Sequence, residues 1–359
     1  MSARTIALVV LASLLTVACN KSDDTSSSEG IRAVVSLQGA GATFPYPLYS
    51  KWSAEYNKAH PNVQINYQSI GSGGGIRQIT ARTVDFGASD VPLTASEAAR
   101  AQGKLQHLPM TIGAVALAYN LPSLGKELRL DPMTVFDIFR GKITRWNDAR
   151  ITSTNPGVSL PEKGISVVFR SDGSGTNAVF TNYLAKVDPV WTREVGVGKS
   201  VRWPVGLGAK GNEGVTGQIK STPGAIGYVE LAYAVNNHMP VVHLRNKSGR
   251  YVRPSVEAMT EAASGVMLPD SLHASITDSA APDAYPIVSY TYILVYDNTQ
   301  NQRKGRELLE FLWWAIHDGQ KYAKPLGYAP LPARAVSQVE SRLKHLKAGG
   351  KNVFAAGLG

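Results

Sequence analysis

Apolar residues follow two different spacings in turn along the chain. Residues 63–67 alternate apolar and polar side chains, as a half-buried strand does, whereas Leu48, Trp52 and Tyr56 recur at steps of four, as on one face of a helix. The same alternation predicts strands at residues 31–37, 112–119, 165–169 and 291–296, and helices at 45–60, 132–139, 179–184 and 309–316. Alternating strands and helices predict an α/β fold with largely parallel sheets.

Three predicted strands end in a glycine-rich turn that carries hydroxyl groups and begins a helix. These turns are residues 39–44 (GAGATF), 71–75 (GSGGG) and 173–176 (GSGT). A helix N-terminus offers unpaired backbone N–H groups and a partial positive charge, so it binds an anion without a charged side chain. A single turn of this kind is better explained by helix capping. Three of them, at strand ends that face one cleft, favour an anion site.

Two charged side chains refine this hypothesis. Arg170 precedes the third turn and can offer a bidentate fork to an oxyanion, although it can also pair with Asp172. Asp90 follows a small-residue segment at 87–89, and a carboxylate beside an anion is repulsive unless the anion supplies a proton. Phosphate carries that proton and sulfate does not. Asp90 is therefore predicted to select phosphate; the alternative is a turn or N-cap residue ahead of Pro92.

Length and composition restrict the class of protein. A chain of 359 residues favours two lobes, and 43% hydrophobic with 18% charged residues is typical of a globular protein. The net charge of +10 is compatible with nucleic acid, an anionic surface or a small anion as partner. Because no run of five or six basic residues occurs, nucleic acid is not expected as a partner.

The N-terminal segment has the pattern of an export signal. Arg4 precedes an apolar stretch at 6–17, and the following Cys19 completes a sequence similar to a bacterial lipobox. Residues 1–19 are predicted to be a signal peptide with lipidation at Cys19; the alternative is ordinary cleavage near Ala18. Cys19 is the only cysteine, so no intrachain disulfide or thiolate metal cluster is expected. Residues 20–36 are predicted to be a flexible tether.

Several segments together resemble one family. They are GAGATFPYPLYSKW, GSGGGIRQI, TVDFGASDVPL, GKITRWND, RSDGSGTNAVFTNYLAKV, VRWPVGLGAKGNEGV and PGAIGYVEL. The chain resembles, from about Leu37 to Pro332, the periplasmic phosphate-binding proteins of high-affinity phosphate ABC importers, the PstS family. Two positions depart from the common pattern: Gly73 replaces a second serine and Ser171 replaces an alanine. The tail after Pro332 shows no clear match.

The resemblance implies an α/β fold of the periplasmic-binding-protein type II, a two-lobed Venus flytrap with hinge crossings. Lobe I is expected at residues 37–112 and 290–359, and lobe II at 113–289. Phosphate is expected between the lobes, held by hydrogen bonds alone and delivered to membrane permease subunits. The resemblance assigns phosphate contacts to Thr43, Phe44, Ser72, Asp90, Arg170, Ser174, Gly175 and Thr176, with Asp172 as the partner of the arginine. No metal, cofactor or catalytic residue is implied, and the lipid anchor would give membrane contact.

Three alternatives compete with this interpretation. A hydrolase nucleophile at Ser174 lacks the G-x-S-x-G spacing, because Asp172 takes the first glycine position, and the seven histidines have no metal-ligand spacing. A nucleotide site at 206–211 (GLGAKG) lacks a clear preceding strand, so a glycine-rich surface loop is predicted there. A binding protein for another oxyanion or an organic phosphate is the nearest alternative.

Overall fold

Two long antiparallel strands form the centre of the main sheet. The computed structural model describes residues 33–122, 124 and 127–354. Strand β4 (Leu105–Tyr119) pairs with β11 (Val288–Tyr296), beginning with Leu105 opposite Tyr296. Both strands are buried along almost their whole length, which explains why apolar residues occupy both faces of each strand instead of alternating regularly with polar ones.

One half of the main sheet lies beside β11. Strand β1 (Val35–Gly41) pairs in parallel with β2 (Val63–Ser69) and with β3 (Phe86–Ser89), and β3 pairs antiparallel with β11. The carboxyl ends of β1 and β3 therefore lie at the same edge of the sheet.

The other half lies beyond β4. Residues 115–119 of β4 pair antiparallel with β8 (Ala225–Glu230), which is parallel to β6 (Ser166–Arg170), which is parallel to β7 (Leu207–Ala209). Within the described residues the strand order is β2-β1-β3-β11-β4-β8-β6-β7. The expected parallel pairing holds in both halves. The centre is antiparallel because β4 takes the chain from the first half to the second and β11 returns it.

The helices and two smaller sheets complete the described part of the chain. The α-helices are α1 (Tyr46–Ala59), α2 (Ser72–Thr80), α3 (Ala95–Ala98), α4 (Pro132–Phe139), α5 (Ala149–Thr152), α6 (Gly175–Val187), α7 (Val190–Glu194), α8 (Gly211–Ser221), α9 (Leu231–Asn236), α10 (Val256–Ser264), α11 (Gln302–Ile316) and α12 (Ala333–His345). Short 3₁₀ helices lie at Asp318–Tyr322 and Lys324–Leu326. The smaller sheets are formed by β5 (Arg129–Leu130), β9 (His243–Arg245) and β10 (Tyr251–Val252), and by β12 (Asn298–Thr299), β13 (Lys347–Ala348) and β14 (Lys351–Asn352).

The predicted α/β class is confirmed, and the boundaries differ where glycine is involved. Strand β1 begins at Val35, two residues inside the predicted tether, and includes residues 39–41, which were predicted to form a turn. Helix α2 begins at Ser72, so the glycines at 73–75 lie in its first turn. A Cβ on Gly75 would lie 2.4 Å from the Cα of Gly41. The glycine therefore allows α2 to pack closely against β1.

Some predictions are not settled by this architecture. The signal peptide, Cys19 and most of the tether lie outside the described residues. The proposed lobe boundaries at 112/113 and 289/290 fall inside β4 and β11, and the division into lobes stays a prediction. Among the described helices, none has the length and apolar character needed to cross a membrane.

Trp52 ties helix α1 to the segment that follows α11. Its indole is fully buried and stacks on Tyr49 with ring centroids 5.4 Å apart. The indole N–H donates a 2.7 Å hydrogen bond to the carbonyl of Gly319. A residue from the start of the chain thus anchors one that lies 267 positions later.

The W52A variant is expected to lose about 3 to 5 kcal/mol of unfolding free energy, because it creates a cavity and leaves the Gly319 carbonyl without its donor. The half-buried Trp313, which packs on Phe354, provides a matched control. The W313A variant is expected to lose about 1 to 2 kcal/mol. Urea unfolding monitored by circular dichroism measures both losses, and equal losses would contradict the anchoring role of Trp52.

Candidate anion-binding site

Three predicted site residues lie at the carboxyl edge of the first half of the sheet. Thr43 follows β1, Ser72 is the first residue of α2, and Asp90 follows β3 directly. All three side chains are almost completely buried. Because β1 and β3 are parallel neighbours, their ends bring these residues to one place.

The second half of the sheet contributes a matching set. Arg170 is the last residue of β6 and is 4% exposed. Ser174 is the N-cap of α6, where its hydroxyl accepts a 3.0 Å hydrogen bond from the amide of Asn177. Gly175 and Thr176 form the first turn of this helix, so their amides belong to its positive N-terminus.

The two sets are in direct contact. The amide of Gly175 donates to the Ser72 hydroxyl at 3.1 Å, and the amide of Gly73 donates to the Gly173 carbonyl at 2.8 Å. A Cβ on Gly175 would lie 2.4 Å from Asp90 Oδ2 and 2.4 Å from Ser72 Oγ. Glycine is therefore required at position 175 for the two sets to meet. Contact between these residues and an anion stays a prediction.

Arg170 is held in a fixed orientation by Asp172. Its Nε donates to Oδ1 and its Nη2 donates to Oδ2, each at 2.7 Å, and its Nη1 donates to the Thr176 hydroxyl at 3.2 Å. Burial opposes ionisation of Asp172, but the hydrogen bonds and charge of Arg170 and the amide of Gly211 outweigh it, so the pKa of Asp172 is lowered. The pair with Asp172 predicted as one alternative is thus present and uses Nε and Nη2, while a contact of Arg170 with an oxyanion stays a prediction.

Asp90 is the electrostatic exception in the site. Burial raises its pKa to about 7, opposed by the Thr291 hydroxyl, the charge of Arg170 and the Ser72 hydroxyl. Thr291 donates to Oδ1 at 2.8 Å. A carboxyl with this pKa gains or loses its proton near neutral pH. It can therefore accept a hydrogen bond from a protonated ligand without a large penalty.

Asn212 is a site residue that the sequence analysis missed. Its side-chain amide donates to the Thr43 hydroxyl at 2.7 Å and to the Thr176 hydroxyl at 3.3 Å, so it links both sets. The surface-loop prediction for residues 206–211 was wrong, since β7 occupies 207–209 and α8 begins at Gly211. This is a fourth strand, glycine turn and helix. The glycine-rich turn at 206–211 could have indicated this site, but the three-residue strand β7 is too short to show an apolar pattern.

Two tyrosine hydroxyls hold the Thr43–Phe44 turn. Tyr233 donates to the carbonyl of Thr43 at 2.6 Å, and Tyr328 donates to the carbonyl of Phe44 at 2.7 Å. The ring of Phe44 is fully buried. Both tyrosines come from segments far away in sequence, so no local sequence pattern could predict these contacts.

The assembled groups suit one kind of ligand. Amides, hydroxyls and a guanidinium donate hydrogen bonds, and Asp90 is the acceptor among them. Such a set matches a small oxyanion that still carries a proton. No cluster of three histidine, cysteine, aspartate or glutamate side chains suited to a metal occurs in the part of the chain that the structure describes.

Comparison with known proteins agrees with this chemistry. The family model for the PBP superfamily domain matches residues 23–318, so the chain belongs to the PBP superfamily of binding proteins. Within it, the chain is 48% identical over 310 residues to the phosphate-binding protein PstS of Xylella fastidiosa strain 9a5c, covering 86% of this chain and 84% of that protein. Identity to PstS of Haemophilus influenzae is 44% over 312 residues, covering 86% and 92%. The chain is thus a member of the PstS family.

Solved structures agree on the fold. A phosphate-binding protein from Stenotrophomonas maltophilia superposes with a TM-score of 0.66 at 19% identity, covering 86% of this chain and 94% of that one. A high-affinity periplasmic phosphate-binding protein bound with phosphate gives a TM-score of 0.68 at 20% identity, covering 86% and 93%. The predicted periplasmic-binding-protein fold is confirmed.

Asp90 is expected to titrate near pH 7 in the ligand-free protein. The pKa of Asp172 is lowered, so this residue is expected to stay ionised at pH values where an ordinary aspartate is already protonated. Carbon-13 NMR of the side-chain carboxyls, assigned with D90N, measures both. The unfolded chain loses the Asp90 proton near pH 3.8 and the folded protein loses it near pH 7. As the pH rises from the first value to the second, the free energy of unfolding of the parent should therefore fall relative to that of D90N. An Asp90 midpoint near 4 would contradict the burial argument.

Proposed function

We propose that this protein captures inorganic phosphate and delivers it to an ABC-type phosphate importer. The observation that carries the proposal is the buried carboxyl of Asp90, surrounded by donors from both halves of the sheet. Hydrogen phosphate can donate a hydrogen bond from its hydroxyl to this carboxyl. A fully deprotonated oxyanion has no such donor and would place its negative charge against the Asp90 carboxylate. Selection of the ligand therefore depends on its proton.

Binding proceeds by closure of two lobes. Thr43, Ser72 and Asp90 provide the first contacts, and Arg170 with the α6 N-terminus completes them when the lobes meet. The contact between the Gly175 amide and the Ser72 hydroxyl supports this arrangement, because it joins the two sets directly. Phosphate stabilises the closed state since only that state offers all the donors. The process is reversible binding without a chemical step.

Export and anchoring form the remaining part of the proposal. The basic start, apolar stretch and lipobox-like sequence support a periplasmic or cell-envelope location, with lipidation of Cys19. Family membership supports permease subunits of a phosphate importer as partners. A tether at 20–36 would allow an anchored protein to reach those subunits.

Isothermal titration of the refolded, ligand-free protein tests the ligand. Tight one-to-one binding of phosphate with no heat from sulfate is expected. D90N is expected to bind sulfate at least about tenfold more tightly than the parent, because the asparagine amide has no negative charge and can donate a hydrogen bond to the anion. D137N is the control, since Asp137 pairs with the exposed Arg150 instead.

Three results would count against the proposal. Comparable heats from both anions in the parent would indicate a general oxyanion receptor. Unchanged sulfate rejection in D90N would remove the role of Asp90. No heat with either anion, from folded protein, would indicate another ligand such as an organic phosphate.

The R170K variant is expected to bind phosphate roughly tenfold to hundredfold more weakly, because lysine keeps the charge but loses the planar fork held by Asp172. R145K, at an exposed arginine that pairs with Glu162, is the matched control and should bind as the parent does. Titration calorimetry at constant ionic strength measures both. Equal affinity of R170K and the parent would show that charge alone matters at this position.

A further inference from the structure

Glu230 is a buried carboxyl with no assigned role. It is the last residue of β8 and the N-cap of α9, and it is fully buried. Its Oε2 accepts a 2.8 Å hydrogen bond from the amide of Ala232. Its Oε1 lies near Gly113 and, among the described residues, has no hydrogen-bond partner.

The hydroxyl of Tyr328 indicates where a proton lies. This oxygen is 2.7 Å from the Phe44 carbonyl and 3.1 Å from Glu230 Oε2. A hydroxyl has a single hydrogen, so it cannot donate to both acceptors fully. The Phe44 carbonyl can only accept and makes the shorter contact. Tyr233 lies in the same way between the Thr43 carbonyl at 2.6 Å and Glu213 at 3.2 Å, but Glu213 is exposed to solvent whereas Glu230 is fully buried. At Glu230 the remaining contact is therefore satisfied when the carboxyl carries a proton and donates to Tyr328.

The surrounding charges favour the same state. Within the described residues no lysine or arginine forms an ion pair with Glu230. The titratable groups that act on it are Tyr328, Tyr233 and Asp90, and none of these brings a positive charge. Burial raises the pKa of Glu230 well above its usual value and the negative charge of Asp90 adds to this effect, which together outweigh the opposing hydrogen bonds from the Ala232 and Leu231 amides and the Tyr328 hydroxyl. An isolated buried carboxylate would be costly there.

We propose that Glu230 is a protonated positioning residue that fixes the Tyr328 hydroxyl on the Phe44 carbonyl and so holds the Thr43–Phe44 turn without adding negative charge behind the anion site. The expected effects on phosphate affinity rest on the proposed function, whereas the protonation of Glu230 does not. The backbone amide of Glu230 donates to the side-chain Oδ1 of Asn212 at 2.9 Å. Glu230 therefore also positions the asparagine side chain that links Thr43 to Thr176.

Phosphate titration at pH 8 and low salt tests the charge of Glu230. The E230Q variant keeps the shape and removes no charge, so its Kd should stay within about twofold of the parent. An ionised Glu230 would instead make E230Q bind several-fold more tightly, which would overturn the proposal. E213Q is the control, because Glu213 is an exposed acid that contacts the Tyr233 hydroxyl near the same turn. Its Kd should tighten by roughly two- to fivefold.

The positioning role is tested with Y328F, which removes the hydroxyl and leaves the Phe44 carbonyl unpaired. Phosphate binding should weaken by roughly fivefold to tenfold. Parent-like affinity in Y328F, with its fold intact by circular dichroism, would overturn the positioning role.

Infrared spectroscopy at pH 9 tests the proton without any ligand. A carbonyl stretching band of a protonated carboxyl should be present in the parent and in D90N, should shift on carbon-13 labelling of glutamate, and should be lost in E230Q. The labelling arm needs no variant, so it holds even if E230Q does not fold. Absence of the band would overturn the proposal. A parent that shows the band but binds no phosphate would refute the proposed function and leave the protonation of Glu230 standing.

Discussion

Removal of carboxyl groups from water is the constraint on which the site depends. Asp90, Asp172 and Glu230 all lie in or beside it, and each meets the cost of burial differently. Asp172 is paired with a guanidinium and stays charged. Among the described residues, the Asp90 carboxyl is bonded by hydroxyls and has a positive charge only at a distance, so burial raises its pKa to about 7. A site that binds an anion can contain these three acids because Asp172 is paired with a cation, Asp90 can take up a proton near neutral pH, and Glu230 is proposed to carry a proton.

The fold and the first members of the site follow from short-range patterns in the sequence. Strand and helix spacings located several of the longer strands and helices, and the turns at 71–75 and 173–176 marked helix N-termini that the structure brings together. These features were predictable because one helix turn or one strand end determines them.

The rest of the site depends on long-range contacts that no local pattern encodes. Asn212 reaches Thr43 across 169 positions of sequence, and Tyr328 reaches Phe44 across 284. The strand before Asn212 is three residues long and largely exposed, so it has no apolar pattern that could have predicted it. The antiparallel centre of the sheet was also missed, because strand direction depends on how the chain crosses between halves rather than on composition.

The pairing of β4 with β11 has a mechanical consequence. Both passages of the chain between the halves of the sheet are neighbouring strands joined by backbone hydrogen bonds, so they form a two-stranded strip. A strip of this kind bends and twists at small energetic cost, but sliding one strand past the other would break the ladder between Leu105 and Ala114. Relative movement of the halves is thereby confined to few degrees of freedom. The proposed closure would therefore return the same donors to the same register each time.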